Sequence, residues 1–149
     1  MGLVSPYGVE HMKSLVLCLT LFGINATAAE AAKIDPKEKA ELTLKAPDKL
    51  KVKQTAEISF SIKPEKGWKV SFEAPLSVKL SNAGKVVIGK RKLSAKDGKK
   101  DGEGIVLSTT VQGSSAGADT VKAKAVYFLC TADVCKRFSA SREIALKVN

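Results

Sequence analysis

From Glu41 onward, apolar and polar residues alternate with a period of two, and Pro, Gly, Asn and Asp interrupt the alternation every few residues. That pattern belongs to short strands with one buried face, and no stretch after residue 40 carries the three-to-four spacing of a helix. Glu41 to Leu44 predicts a first strand, closed by Ala46-Pro47-Asp48. Ala56 to Ile62 predicts a strong one with Ile58, Phe60 and Ile62 on a single face, ended by the turn Pro64-Glu65-Lys66-Gly67. Trp68, Val70 and Phe72 continue in register, Leu76, Val78 and Leu80 resume it after Ala74-Pro75, and Trp68 is expected to be the largest single anchor of the core. Lys85 to Gly89 and Ile105 to Val111 predict two more strands; Lys90 to Gly104 between them, rich in Lys, Asp and Gly, reads as a solvated connection. About seven to nine short strands at this spacing predict an all-β, immunoglobulin-like sandwich whose two sheets share one core.

The last segment, Val121 to Val148, reads as a hairpin with Thr131 to Val134 as its loop. In that register Cys130 faces Cys135, Tyr127 faces Phe138, Ala125 faces Ala140, Val121 faces Ile144 and Lys122 faces Glu143. Such matched pairs stabilise antiparallel strands. Val121, Ala125, Tyr127, Ile144, Leu146 and Val148 then share the inward parity, and both cysteines share the outward, charged one. Arg142 and Lys136 fall on the inward parity, which predicts a bulge or a frayed tip. Opposed strand residues lie about 4.5 to 5.5 Å apart at Cα, within reach of a disulfide. A bridge closing so short a loop removes little freedom from the unfolded chain, on the order of 2 kcal/mol, so it is a weak device for stability alone.

The N-terminus changes the chemistry available. Residues 1–11 fit neither a signal nor a fold, whereas 12–31 combine Lys13, the apolar run Leu15 to Ile24 and the small-residue motif Ala26-Thr27-Ala28, the pattern of a cleavable secretory signal peptide. The run is too short to span a bilayer, so no transmembrane segment is expected in the mature chain. Residues 32–40 read as a flexible arm, and 41–149 as the domain. Cleavage would remove Cys18, the single His (His11) and both Met residues (Met1 and Met12), leaving Cys130 and Cys135 as the last sulfurs. No imidazole then remains for acid–base catalysis, and two cysteines are too few for a zinc or copper site, so neither metal nor cofactor is expected. The net charge of +10 survives processing and would suit an acidic partner such as nucleic acid or anionic lipid, but the lysines are spread over outward strand positions and one loop without interleaved aromatics, so they read as solvated surface and no nucleic-acid partner is expected. In the oxidising compartment that export implies, a cysteine pair is normally bridged. The pair is then either a redox site or a structural staple.

The run Val126 to Leu146 (VYFLCTADVCKRFSASREIAL), together with the upstream SIKPEKGWKVSFEAP, resembles the N-terminal periplasmic domain of the thiol:disulfide interchange protein DsbD. It is also similar to the C-terminal β-domain of NHL-repeat thioredoxin-like proteins. In that family an aromatic-containing strand leads into Cys, a short Ala-Asp loop and a second Cys; these fall on Tyr127, Cys130, Ala132-Asp133 and Cys135. The resemblance implies an immunoglobulin-like fold and a periplasmic protein-disulfide reductase or interchange activity. Cys130 and Cys135 would be the reacting pair, flanked by Tyr127, Phe128, Asp133, Lys136 and Arg137. It also implies thioredoxin-fold partners and a separate membrane electron donor. Lys136 and Arg137 would favour the Cys135 thiolate and Asp133 would oppose it. The alternative is a non-enzymatic binding or assembly module whose bridge only pins the hairpin.

Overall fold

The structure is a computed structural model that describes residues 30–35 and 38–149. Residues 1–11 and almost all of the expected signal peptide therefore lie outside the described residues. The described residues form twelve strands and one short 3-10 turn: β1 (Glu30–Asp35), β2 (Ala40–Lys45), β3 (Lys49–Leu50), β4 (Thr55–Pro64), β5 (Lys69–Val70) and β6 (Ser77–Ser81). They continue with β7 (Val86–Ile88), β8 (Lys92–Ser94), the 3-10 turn Ala95–Asp97, β9 (Gly98–Asp101), β10 (Gly104–Gly113), β11 (Gly117–Cys130) and β12 (Cys135–Val148).

Two sheets pack face to face. The first runs β1-β2-β4-β10, and the far edge of β10 is shared by β7 and β9. The second runs β3-β12-β11, and the far edge of β11 is shared by β6 and β5, with β8 outside β6. Every named strand pair is antiparallel except β3 with β12. The inward rows interdigitate as the alternation predicts: Leu42, Leu44, Ile58, Phe60, Ile62, Ile105 and Leu107 from the first sheet meet Val78, Leu93, Tyr127 and Leu129 from the second, all at most 1% exposed. The chain is an all-β, immunoglobulin-like sandwich.

The strand number exceeds the sequence expectation because β3, β5, β7 and β8 have only two or three residues, too few to show alternation. Two expectations are corrected outright. The stretch 90–104 is not a solvated connection: it supplies β8, which pairs with β6, and β9, which pairs with β10. Asp97 caps the turn between these strands by accepting from the Ser94 N–H (2.8 Å) and the Ser94 hydroxyl, and it pairs with Lys90. Local side-chain acceptors thus organise a segment whose composition alone reads as unstructured. Over 32–40, expected as a flexible arm, Ala32 to Asp35 belong to β1, which pairs along β2 from Glu30↔Lys45 to Asp35↔Ala40 and so satisfies that edge of β2.

The hairpin register is the one the sequence predicts, continuous from Gly117↔Val148 to Cys130↔Cys135. No bulge or fray accommodates Arg142. Its guanidinium is instead buried and satisfied: Nε donates to the Leu42 carbonyl (3.3 Å), Nη1 to the Ser141 carbonyl (2.7 Å) and Nη2 to Glu38 Oε2 (2.6 Å). Lys136, the other inward-parity cation, stays exposed near the tip. A second buried charge, Asp119 at the start of β11, accepts from the backbone N–H groups of Ala83 (2.8 Å), Lys85 (2.7 Å), Val86 (3.0 Å) and Thr120 (2.8 Å) and from Asn82 Nδ2 (3.0 Å). One carboxylate therefore holds the whole turn between β6 and β7.

Candidate functional site

The tip of the β11–β12 hairpin is closed by a disulfide between Cys130 and Cys135, whose Cα atoms are 4.0 Å apart. The turn beneath it is supported without the bridge. Thr131 N–H donates to the Val134 carbonyl (2.8 Å), and Thr131 Oγ1 accepts from the N–H groups of Val134 (3.2 Å) and Asp133 (3.3 Å). With fourteen register pairs behind it, the loop has little left for a staple to fix.

Parity places both cysteines outward, yet their surroundings differ. Cys130 is buried, 7% exposed, with β5 paired against it (Lys69↔Cys130, Val70↔Leu129), so that Trp68 to Ser71 form a covering segment along its strand edge. Cys135 is exposed. Three backbone bonds fix that covering segment: Trp68 N–H to the Glu65 carbonyl (3.0 Å), Val70 N–H to the Glu103 carbonyl (2.8 Å) and Ser71 N–H to the Phe128 carbonyl (2.9 Å). The first closes the turn at Gly67, whose φ of 89° is a conformation that favours glycine. A cavity of about 410 Å³ opens against the bridge, bounded by Lys69, Phe72, Glu73, Lys100 and Glu103 as well as by both cysteines. Lys100 Nζ stands 5.6 Å over the Phe72 ring, and Phe72 is 41% exposed, so an aromatic edge borders the opening.

On the inner side, Tyr127 is fully buried, stacks on Phe138 (centroids 5.7 Å, planes 17° apart) and donates its hydroxyl to the Glu38 carbonyl (3.1 Å). Trp68 meets Phe138 edge-on at 6.0 Å. Only half-buried, it closes the cysteine end of the core and does not anchor its centre, which Tyr127 and Phe60 fill. The three rings give the hairpin tip a rigid floor.

Of the residues singled out from sequence, Cys130 and Cys135 are joined, and Tyr127 supports them from within the core. Phe128 lies half-buried on the outer face opposite Arg137 and lends its carbonyl to Ser71. Asp133, Lys136 and Arg137 are exposed around the tip. Sequence reasoning missed Lys69, Ser71, Phe72, Lys100 and Glu103. The segment KGWKVSFEAP carried a signal for the first three, since it belongs to the family resemblance; Lys100 and Glu103 lay hidden in the stretch read as a solvated connection.

Among the described residues there is no group of three or more His, Cys, Asp or Glu that could hold a metal ion, and no helix is long and apolar enough to cross a membrane. No family model and no curated protein matches the chain. Among solved structures the chain is similar to the native conformation of E. coli alpha-2-macroglobulin, with a TM-score of 0.53 and 14% identity over 74% of this chain, which corresponds to 7% of that one. It is also similar to the GAE domain of GGA2p from Saccharomyces cerevisiae (TM-score 0.40, 14% identity, 78% of this chain and 97% of that one). A third similar structure is murine CRIg (TM-score 0.32, 15% identity, 72% and 98%). At 14% identity the likeness to the alpha-2-macroglobulin is one of fold alone.

Proposed function

We propose that the chain is a periplasmic thiol–disulfide exchange domain of the DsbD N-terminal type, exported by its signal peptide, in which Cys130 and Cys135 cycle between bridge and dithiol. The observation that carries this reading is the unequal exposure of the two cysteines beside a cavity. In the reduced form the Cys135 thiolate, the reachable one, attacks a disulfide of a thioredoxin-fold partner; one partner sulfur leaves as thiolate and a mixed disulfide forms. Cys130, as thiolate, then attacks Cys135 Sγ. The partner's second sulfur departs, the Cys130–Cys135 bridge closes, and the two electrons end on the partner's dithiol. A separate membrane donor returns the electrons by the reverse sequence. The self-supporting turn also favours this reading over a staple, because the bridge adds little that the hydrogen bonds do not already provide.

The test is trapping in a periplasmic extract. Cys130→Ala leaves Cys135 without its resolving partner and is expected to accumulate a mixed disulfide with a thioredoxin-fold protein, whereas Cys135→Ala accumulates none. A reduction potential below about −300 mV, the range of inert structural bridges, overturns the proposal.

A further inference from the structure

The register places Lys92, Lys79 and Lys124 directly opposite one another on three consecutive strands, β8, β6 and β11. All three are exposed, and none has a carboxylate within ion-pair distance among the described residues. Neighbouring strands lie about 4.8 Å apart, and like charges directly opposite destabilise a sheet. The same outer face carries Lys122, Lys147, Lys49 and Arg137, with Lys147 and Lys49 again opposite each other. Its single strand carboxylate, Glu143, is engaged by Lys122 at 3.6 Å. The outer face of the first sheet is different: Lys45, Lys63 and Lys99 are balanced by Glu41, Glu57 and Asp101, among hydroxyls such as Ser59, Ser61 and Thr110. The excess positive charge is therefore sorted onto one side of the sandwich at the expense of cross-strand repulsion.

We propose that the outer face of the second sheet is a docking surface for an anionic phospholipid bilayer, with the lysine row set against headgroup phosphates. This stands independently of whether the disulfide cycles. Charge complementarity selects an anionic occupant, and the make-up of the face selects a bilayer. A protein interface has an apolar or aromatic centre with charge at its rim, whereas the centre of this face is Lys79, Lys122 and Lys124. Nucleic-acid surfaces interleave aromatics for stacking and use arginine forks for base edges; of these the strands of the face offer half-buried Phe128 and Arg137 at one end. A membrane surface asks only for cations spread over a broad face within a Debye length of the headgroups.

The experiment is sedimentation of the protein with vesicles of phosphatidylcholine containing about one third phosphatidylglycerol, at low and at about 0.5 M salt. Binding at low salt that is lost at high salt is expected, with none to pure phosphatidylcholine. Each lysine near the surface is worth about fivefold in partitioning, so K79Q/K92Q/K124Q is expected to weaken binding about a hundredfold. The control K45Q/K63Q/K99Q removes the same charge from the opposite face of the sandwich; compared at about 0.1 M salt, where the Debye length is about 10 Å, it is expected to weaken binding less than about tenfold. Removing the repelling row holds or raises the urea midpoint, which certifies folding; if the triple variant fails to fold, K79Q alone carries the test, with a fivefold loss expected. No binding to the anionic vesicles, equal binding to neutral ones, or equal loss in both triple variants overturns the proposal. So does a single-stranded oligonucleotide that binds with the same lysine dependence while vesicles do not.

Discussion

Arg142 and Glu38 form a buried ion pair, with Nη2 2.6 Å from Oε2 and side chains 7% and 14% exposed. It is the reason a cation can occupy an inward position of β12 without distorting the ladder. Removing one partner leaves an unpaired buried charge, so Glu38→Ala is expected to cost about 3 kcal/mol by urea denaturation. Replacing both residues with apolar ones of similar volume, Glu38→Met with Arg142→Met, is expected to cost less than about 1 kcal/mol. The comparison separates the pair's net worth from the penalty of breaking it.

Asp119 predicts acid sensitivity. Burial alone would raise its pKa above the ordinary 3.8, but the Asn82 amide and the N–H groups of Ala83, Thr120 and Val86 outweigh burial and lower it. A depressed carboxylate stabilises the fold fully above its unfolded value, and the contribution is lost as pH falls through the folded one. Stability is expected to decline below pH 3.8, and Asp119→Asn to flatten that decline while costing about 2 kcal/mol at neutral pH. Asp97, held down to about 2 by its bond to Lys90 and by the Ser94 N–H, acts in the same direction. Urea midpoints at neutral pH and at stepwise lower pH read both effects.

The paired substitution Cys130→Ala with Cys135→Ala is expected to lower stability by about 2 kcal/mol and leave the sandwich folded, because the loop is short and its turn is self-bonded. Thermal unfolding followed by circular dichroism checks this. A binding-module reading requires partner affinity to survive that change, and the exchange reading requires exchange to vanish.

Gly104 links the site to the core. A Cβ there would lie 2.2 Å from the Ile62 carbonyl oxygen, a backbone atom with no freedom to give, while the preceding Glu103 carbonyl holds Val70 of the covering segment. Gly104→Ala is expected to cost about 1 to 3 kcal/mol. It is also expected to speed reaction of the reduced cysteines with a thiol reagent, measured against wild type, because the cover over Cys130 loosens.

The hairpin was legible because its pairing is local and its side chains match across the strands: Lys122 with Glu143, Tyr127 with Phe138, Cys130 with Cys135. The inward rows of β4 and β10 were legible for the same reason, alternation over a full strand. What escaped depends on partners distant in sequence. Nothing near Arg142 announces Glu38, and nothing near Asp119 announces the turn at Ala83 to Val86. The cover on Cys130 likewise needs β5, a strand of two residues. Composition misled at 90–104, where the Asp97 cap and an available strand edge order a segment that reads as soluble linker. The charge sorting was hidden for another reason: which lysines share a face follows from register between strands, and alternation within a strand does not reveal it.

Trp68, the single tryptophan of the chain, borders the same opening as Cys130 while its ring rests edge-on against Phe138. Disulfides quench nearby indole emission, so the molecule has an optical gauge of its own bridge. Fluorescence intensity is expected to rise on reduction and fall on reoxidation, and to be unresponsive in the double alanine variant. The oxidation state can then be followed in real time with no added label.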